Sequence, residues 1–118
     1  MIIRPLSYSE VKQALEEKPL FIPLKTEWFR QFEAGTKDTE YRAYGPRWNE
    51  KTCRVGRKAT VSHGYSGKRL ERIVASFKAL SWADAPEVAR NIYPDAAFIA
   101  AIHLPEASTI VPHDREAT

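Results

Sequence analysis

The chain has 118 residues, of which 43% are hydrophobic and 28% charged, and a net charge of +3. Those values predict one globular domain, large enough to build a core without disulfides or metal, and they indicate neither a disordered nor a membrane-embedded chain. No apolar run approaches the roughly 20 residues of a spanning helix, Met1-Ile2-Ile3-Arg4-Pro5 lacks a signal-peptide pattern, and the single Cys53 has no CxxC partner for zinc or redox work.

A single cytoplasmic domain over 1–118 is therefore expected, with its core over about 20–104 and peripheral ends. The charge is unevenly spread. Between Lys25 and Arg72 there are twelve Lys/Arg against six Asp/Glu, whereas the rest of the chain holds six against nine. A basic middle is the electrostatic footprint of a polyanion binder, and a solvated surface kept for solubility is the competing reading.

Ser7-Tyr8-Ser9-Glu10 fits a capping box and predicts an amphipathic helix over 8–17, closed by Pro19. Leu20–Leu24 is apolar and too short for a helix, so it reads as a strand with Pro23 at its edge or end. A helix follows, with Thr26 as its N-cap, Glu27 in the first turn where the helix dipole favours an acid, and Gly35 as the left-handed stop. From Asp38 to Arg42 the period becomes two. Asp38, Glu40 and Arg42 face one way, and Thr39 and Tyr41 the other.

Residues 43–57 mix turn formers with cations and read as an irregular excursion. Lys58–Tyr65 alternates, with Ala59, Val61, His63 and Tyr65 opposite Thr60 and Ser62, and predicts a strand ending in a turn over 64–67. Arg69–Leu80 satisfies both helical and strand templates; Ile73-Val74 and the preceding glycine turn favour a strand. Asp84-Ala85-Pro86-Glu87 offers an N-cap, an early proline and a first-turn acid for a helix over 85–92. Ala97–Leu104 reads as a closing strand, and 112–118 as a frayed tail. Together these elements predict an α+β domain around a small, mostly antiparallel sheet or barrel with flanking short helices.

The chemistry centres on Leu24–Arg42. Lys37 follows the glycine turn, where its ammonium can contact a phosphate or, if desolvated, act as a base. Glu40 and Arg42 lie roughly 7 Å apart along one strand face, so Arg42 can hold Glu40 ionised. A structural ion pair is the alternative. Lys25 is a second cation of the same region. Trp48, between Arg47 and Lys51, is a candidate for base stacking or for capping the core. Arg54, Lys68 and Arg69 complete the candidate phosphate contacts. His63, His103 and His113 have no ligand spacing, so no metal site is expected.

Gly35-x-Lys37-x-x-Glu40-x-Arg42, with the Leu24-Lys25 strand, the Trp28-Phe29/Phe32 helix, Arg54-Val55-Gly56, the strand through Val61 and Ile92-Tyr93-Pro94, resembles the signature of the ASCH domain, a branch of the PUA-like superfamily. The resemblance implies a compact PUA-like β-barrel with a cleft beside the motif, and RNA, single-stranded nucleic acid or a modified nucleoside as ligand. It also raises a hydrolase alternative, an N4-acylcytidine amidohydrolase or a ribonuclease, with Lys37 and Glu40 as catalytic groups. In the amidohydrolases a Lys-Thr-Glu set acts. Here Lys37 matches, Glu40 stands at the threonine position with Thr39 beside it on the opposite face, and neither Glu71 nor Glu87 suits the distal glutamate. The motif thus favours binding over catalysis.

Overall fold

The structure is a computed structural model and describes residues 7–9 and 17–106 of the chain. Most of the helix expected over 8–17, and the tail expected over 112–118, fall outside the described residues.

Six strands form two three-stranded sheets. Strands β1 (Leu20–Leu24), β3 (Lys58–His63) and β4 (Arg69–Ile73) make the first, in the order β1-β3-β4; β2 (Thr39–Ala43), β6 (Phe98–His103) and β5 (Ser76–Ser81) make the second, in the order β2-β6-β5. Every pair is antiparallel except β1 with β3. Among the described residues the two ladders are not joined into a closed barrel, so the architecture is α+β with two mostly antiparallel sheets.

One side of the gap between the sheets is bridged by the chain itself. Val74 N–H donates to the Arg57 carbonyl beside the first sheet, and the next N–H, of Ala75, donates to the His103 carbonyl in the second, both at 2.9 Å. This corrects the reading of Arg69–Leu80 as one element. It is two strands in different sheets, broken at Val74-Ala75, and the local alternation runs through the break without marking it.

Helix α1 (Thr26–Ala34) follows β1 and buries Phe29 and Phe32 completely in the main core, with Ile22, Val61, Ile102 and Leu104. Each ring removed from water contributes about 2 kcal/mol or more. Thr26 is not the N-cap. Lys25 holds that position with extended backbone and no side-chain cap, while the Thr26 hydroxyl pairs with His63 Nε2 at 2.8 Å. The helix is thereby fastened to the end of β3, where Phe29 stacks on the His63 ring at 5.1 Å.

Gly35 ends the helix at φ 81°, and a Cβ there would stand 2.8 Å from a Glu106 carboxylate oxygen. Gly35→Ala is expected to cost about 1–2 kcal/mol for the left-handed backbone alone, read as a lower urea midpoint at unchanged m-value.

Strand β3 departs from its expected alternation, because Ala59, Thr60, Val61 and Ser62 are all buried. It is the middle strand, and its small polar residues are covered by larger cross-strand neighbours. The strand also stops at His63, leaving Tyr65 in the turn and exposed. Asp84 likewise does not cap the second helix, α2 (Glu87–Ile92), whose cap position is Pro86; Asp84 belongs to a 3-10 turn (Trp82–Asp84) and accepts from Ser81 Oγ. Helix α2 covers the outer face of the second sheet, where Ala85 and Ala89 meet Ile99 and Tyr41.

Candidate functional site

Strand β1 is an edge strand, and so is β2. A cleft of about 290 Å³ opens where the end of β1, the first turn of α1, β2 and α2 come together. Lys37, Glu40 and Arg42 all line it. The sequence pattern dictates this locally. The left-handed stop at Gly35 turns the chain from α1 into β2, and the period-two strand sends Glu40 and Arg42 to the same inward face.

Arg42 holds the cleft together. Its Nε donates to Glu40 Oε2 at 2.7 Å, its Nη2 donates to the Pro23 carbonyl at 2.6 Å, and its guanidinium lies 4.7 Å from the Trp48 ring centre. One side chain of β2 therefore reaches across the open gap to the backbone of β1. Pro23 has no N–H, so it offers that edge an acceptor without a matching donor.

Lys37 sits beside this pair with only 14% of its side chain exposed. Its ammonium is 5.3 Å from the Tyr41 ring, 5.4 Å from Trp28 and 5.8 Å from Phe32, within cation–π range of all three. Glu40 Oε1 is 4.0 Å away. Burial lowers the Lys37 pKa against the pull of Glu40 and Asp38. Burial also raises that of Glu40, opposed first by Arg42 and then by Lys37. Desolvation thus brings the two proton affinities closer together, as in sites that move protons or trade a buried charge for a ligand.

Around these charges the walls are aromatic and apolar. Trp28, Tyr41 and Tyr93 line the cleft, and α2 adds Val88 and Ile92, which are 40% and 48% exposed at its lip. Lys25 and Glu27 stand on the α1 side. The cleft can therefore hold a flat, partly apolar group carrying N–H donors for Glu40 and a negative charge for the lysines.

The remaining sequence candidates separate. Trp48 is 9% exposed in the main core, with Arg47 on its ring at 5.4 Å as well as Arg42, so it caps the core and presents no open stacking face. Lys51, Arg54, Lys68 and Arg69 do not line the cleft. Arg54 pairs with Glu17, and Lys68 pairs with Glu33 at 2.6 Å.

Ile92 and Tyr93 belong to the Ile92-Tyr93-Pro94 segment of the resemblance, but no local pattern announces that α2 folds over β2 and brings them and Val88 to the cleft. The Cys53 thiol is buried and burial raises its pKa, the opposite of an activated nucleophile. A more open hollow of about 460 Å³ flanks Lys37 on another side, and its Asp38 and His103 pair with each other at 3.2 Å. Among the described residues no group of three or more His, Cys, Asp or Glu side chains is placed to hold a metal ion, and no helix is long and apolar enough to cross a membrane. No family model matches the chain, and no curated protein matches it.

Proposed function

We propose that this chain is an ASCH-type domain of the PUA-like superfamily and that it binds RNA or a modified nucleotide through the cleft beside Lys37, Glu40 and Arg42. The observation that carries the reading is the convergence of those three motif residues with Trp28, Tyr41 and Tyr93 around one open cleft. A nucleotide has the complementary parts. Its base offers flat apolar faces to the rings and to Val88 and Ile92, its N–H groups suit the Glu40 carboxylate, and its phosphate suits Lys25 and Lys37. The cleft's cations (Lys25, Lys37, Arg42) outnumber its carboxylates (Glu27, Glu40), in keeping with an anionic ligand. In this reading the two sheets are the halves of a PUA-like barrel: the Val74-Ala75 crossing joins one side, and the ligand enters at the side that Arg42 spans.

Binding of single-stranded RNA is expected at low salt and should weaken steeply at moderate salt, because each phosphate neutralised releases counterions. Absence of binding at low salt would overturn the proposal.

The hydrolase alternative draws on one specific observation, the opposed pKa shifts of Lys37 and Glu40 across 4.0 Å. A lysine nearer neutrality is a better base. Against it, Glu40 is engaged by Arg42, and Thr39, which does not line the cleft, donates to Asp38. Incubation with N4-acetylcytidine and with end-labelled RNA separates the readings. Binding without turnover is expected; turnover that Lys37→Ala abolishes would install the enzyme instead.

A further inference from the structure

On the outer face of the first sheet, Phe21, Tyr65 and Arg69 form a cluster that belongs to neither hydrophobic core cluster of the described residues. The Phe21 and Tyr65 rings are 6.0 Å apart at an interplanar angle of 37°, and the Arg69 guanidinium lies 5.2 Å from the Phe21 centre. Arg69 Nη2 also donates to the Tyr65 carbonyl at 3.1 Å, which ties the turn to β4. Tyr65 is nonetheless 77% exposed. An open aromatic ring beside a guanidinium is the kind of surface on which single-stranded nucleic acids stack.

The cluster adjoins the cleft along β1. Phe21 and Pro23 are two residues apart on one face of β1, about 7 Å by the strand rise, and Pro23 lines the cleft. Lys25 lies on the cleft side of that path and Arg69 on the other, so both ends of it carry positive charge.

We infer that Tyr65, supported by Phe21 and Arg69, is a second subsite that stacks a base of the same RNA strand whose neighbour occupies the cleft. The inference rests on the proposed nucleotide-binding role of the cleft and extends it from a mononucleotide pocket to a surface that grips a strand. It also gives the glycine-bounded turn over 64–67 a role, since that turn presents the Tyr65 ring.

The test compares the four ribonucleoside 5′-monophosphates with the four homohexamers at low salt, using wild-type protein, Tyr65→Ser and Tyr65→Phe. Mononucleotides are expected to bind all three proteins equally, and the best hexamer to bind the wild type more tightly. Tyr65→Ser should lose about tenfold in hexamer affinity, the loss expected for one stacking ring, and Tyr65→Phe should retain it. If Tyr65→Ser leaves hexamer binding unchanged, or weakens mononucleotide and hexamer alike, the subsite is refuted and the cleft stands. Absence of any nucleotide binding refutes the cleft as well. A concentration-dependent dimer that Tyr65→Ser abolishes would assign the patch to a second copy of the chain and refute the subsite.

Discussion

Arg42→Ala is expected to lower the unfolding free energy by about 3 kcal/mol. Two losses combine in it. The Pro23 carbonyl loses the donor that spans the two sheets, and Glu40, only 7% exposed, loses its nearest counter-charge. Lys37 at 4.0 Å remains, and Arg42 is not fully buried, its side chain being 17% exposed, which places the figure at the low end for a broken buried pair.

The pH dependence identifies the cause. Burial raises the Glu40 pKa in the folded state, so the native protein holds that proton more tightly than the unfolded chain does. Stability contributed by this group is therefore present at low pH, and falls as pH rises from the ordinary carboxyl range through the raised folded pKa. Removing Arg42 removes the largest influence opposing the rise, which deepens the fall. The deficit of Arg42→Ala should be greatest at neutral pH and shrink on acidification as Glu40 takes up its proton. Glu40→Gln in the Arg42→Ala background should recover part of the loss at neutral pH. A deficit of a few tenths of a kcal/mol, indifferent to pH, would mean that the pair behaves as an ordinary surface ion pair.

Lys37→Met is expected to weaken RNA binding by tenfold to a hundredfold, roughly the loss of one charge-assisted contact in a desolvated setting. Methionine keeps an unbranched stem among Trp28, Phe32 and Tyr41 and removes only the ammonium. Charge reversal would add a carboxylate beside Glu40 and confuse binding with folding. If Lys37 meets a phosphate, the slope of log affinity against log salt should also fall by about 0.7. Lys78→Met is the control, because Lys78 is exposed on the outer face of β5 away from the cleft, and it should leave binding and slope nearly unchanged. Equal losses at Lys37 and Lys78 would reduce the interaction to diffuse electrostatics.

Much of this site was legible because its signals are local. The apolar run Leu20–Leu24, the stop at Gly35 and the alternation through Glu40 and Arg42 each depend on a few adjacent residues, and each appears in the fold as expected. What was hidden depends on partners far along the chain. The side chains of Thr26 and Asp84 have the chemistry of caps, yet they bond to His63 and Ser81. Thr60 and Ser62 alternate as if solvent-facing but are enclosed because β3 has a strand on each side. Trp48 draws attention by the cations around it; two of those arginines, Arg42 and Arg47, cover its ring. Tyr93 enters the cleft from the C-terminal cap of a helix about fifty residues beyond the motif, a contact that the packing of α2 on Ile99 and Tyr41 creates.

The alternation through Ile73, Ala75 and Phe77 is the instructive failure. A period of two continues across Val74-Ala75 while the chain passes from one sheet to the other. Side-chain patterning reports which faces are apolar, but the choice of hydrogen-bonding partner is made by tertiary structure.

The most direct measurement is a titration of isotope-labelled protein with short single-stranded RNA at low salt, followed by amide and side-chain resonances. The proposed function predicts that the largest shifts fall on the Trp28 indole and on Lys37, Glu40, Tyr41, Arg42 and Tyr93. Shifts confined to Lys51, Arg54 and Lys68 with the cleft silent, or no shifts at all, would contradict it.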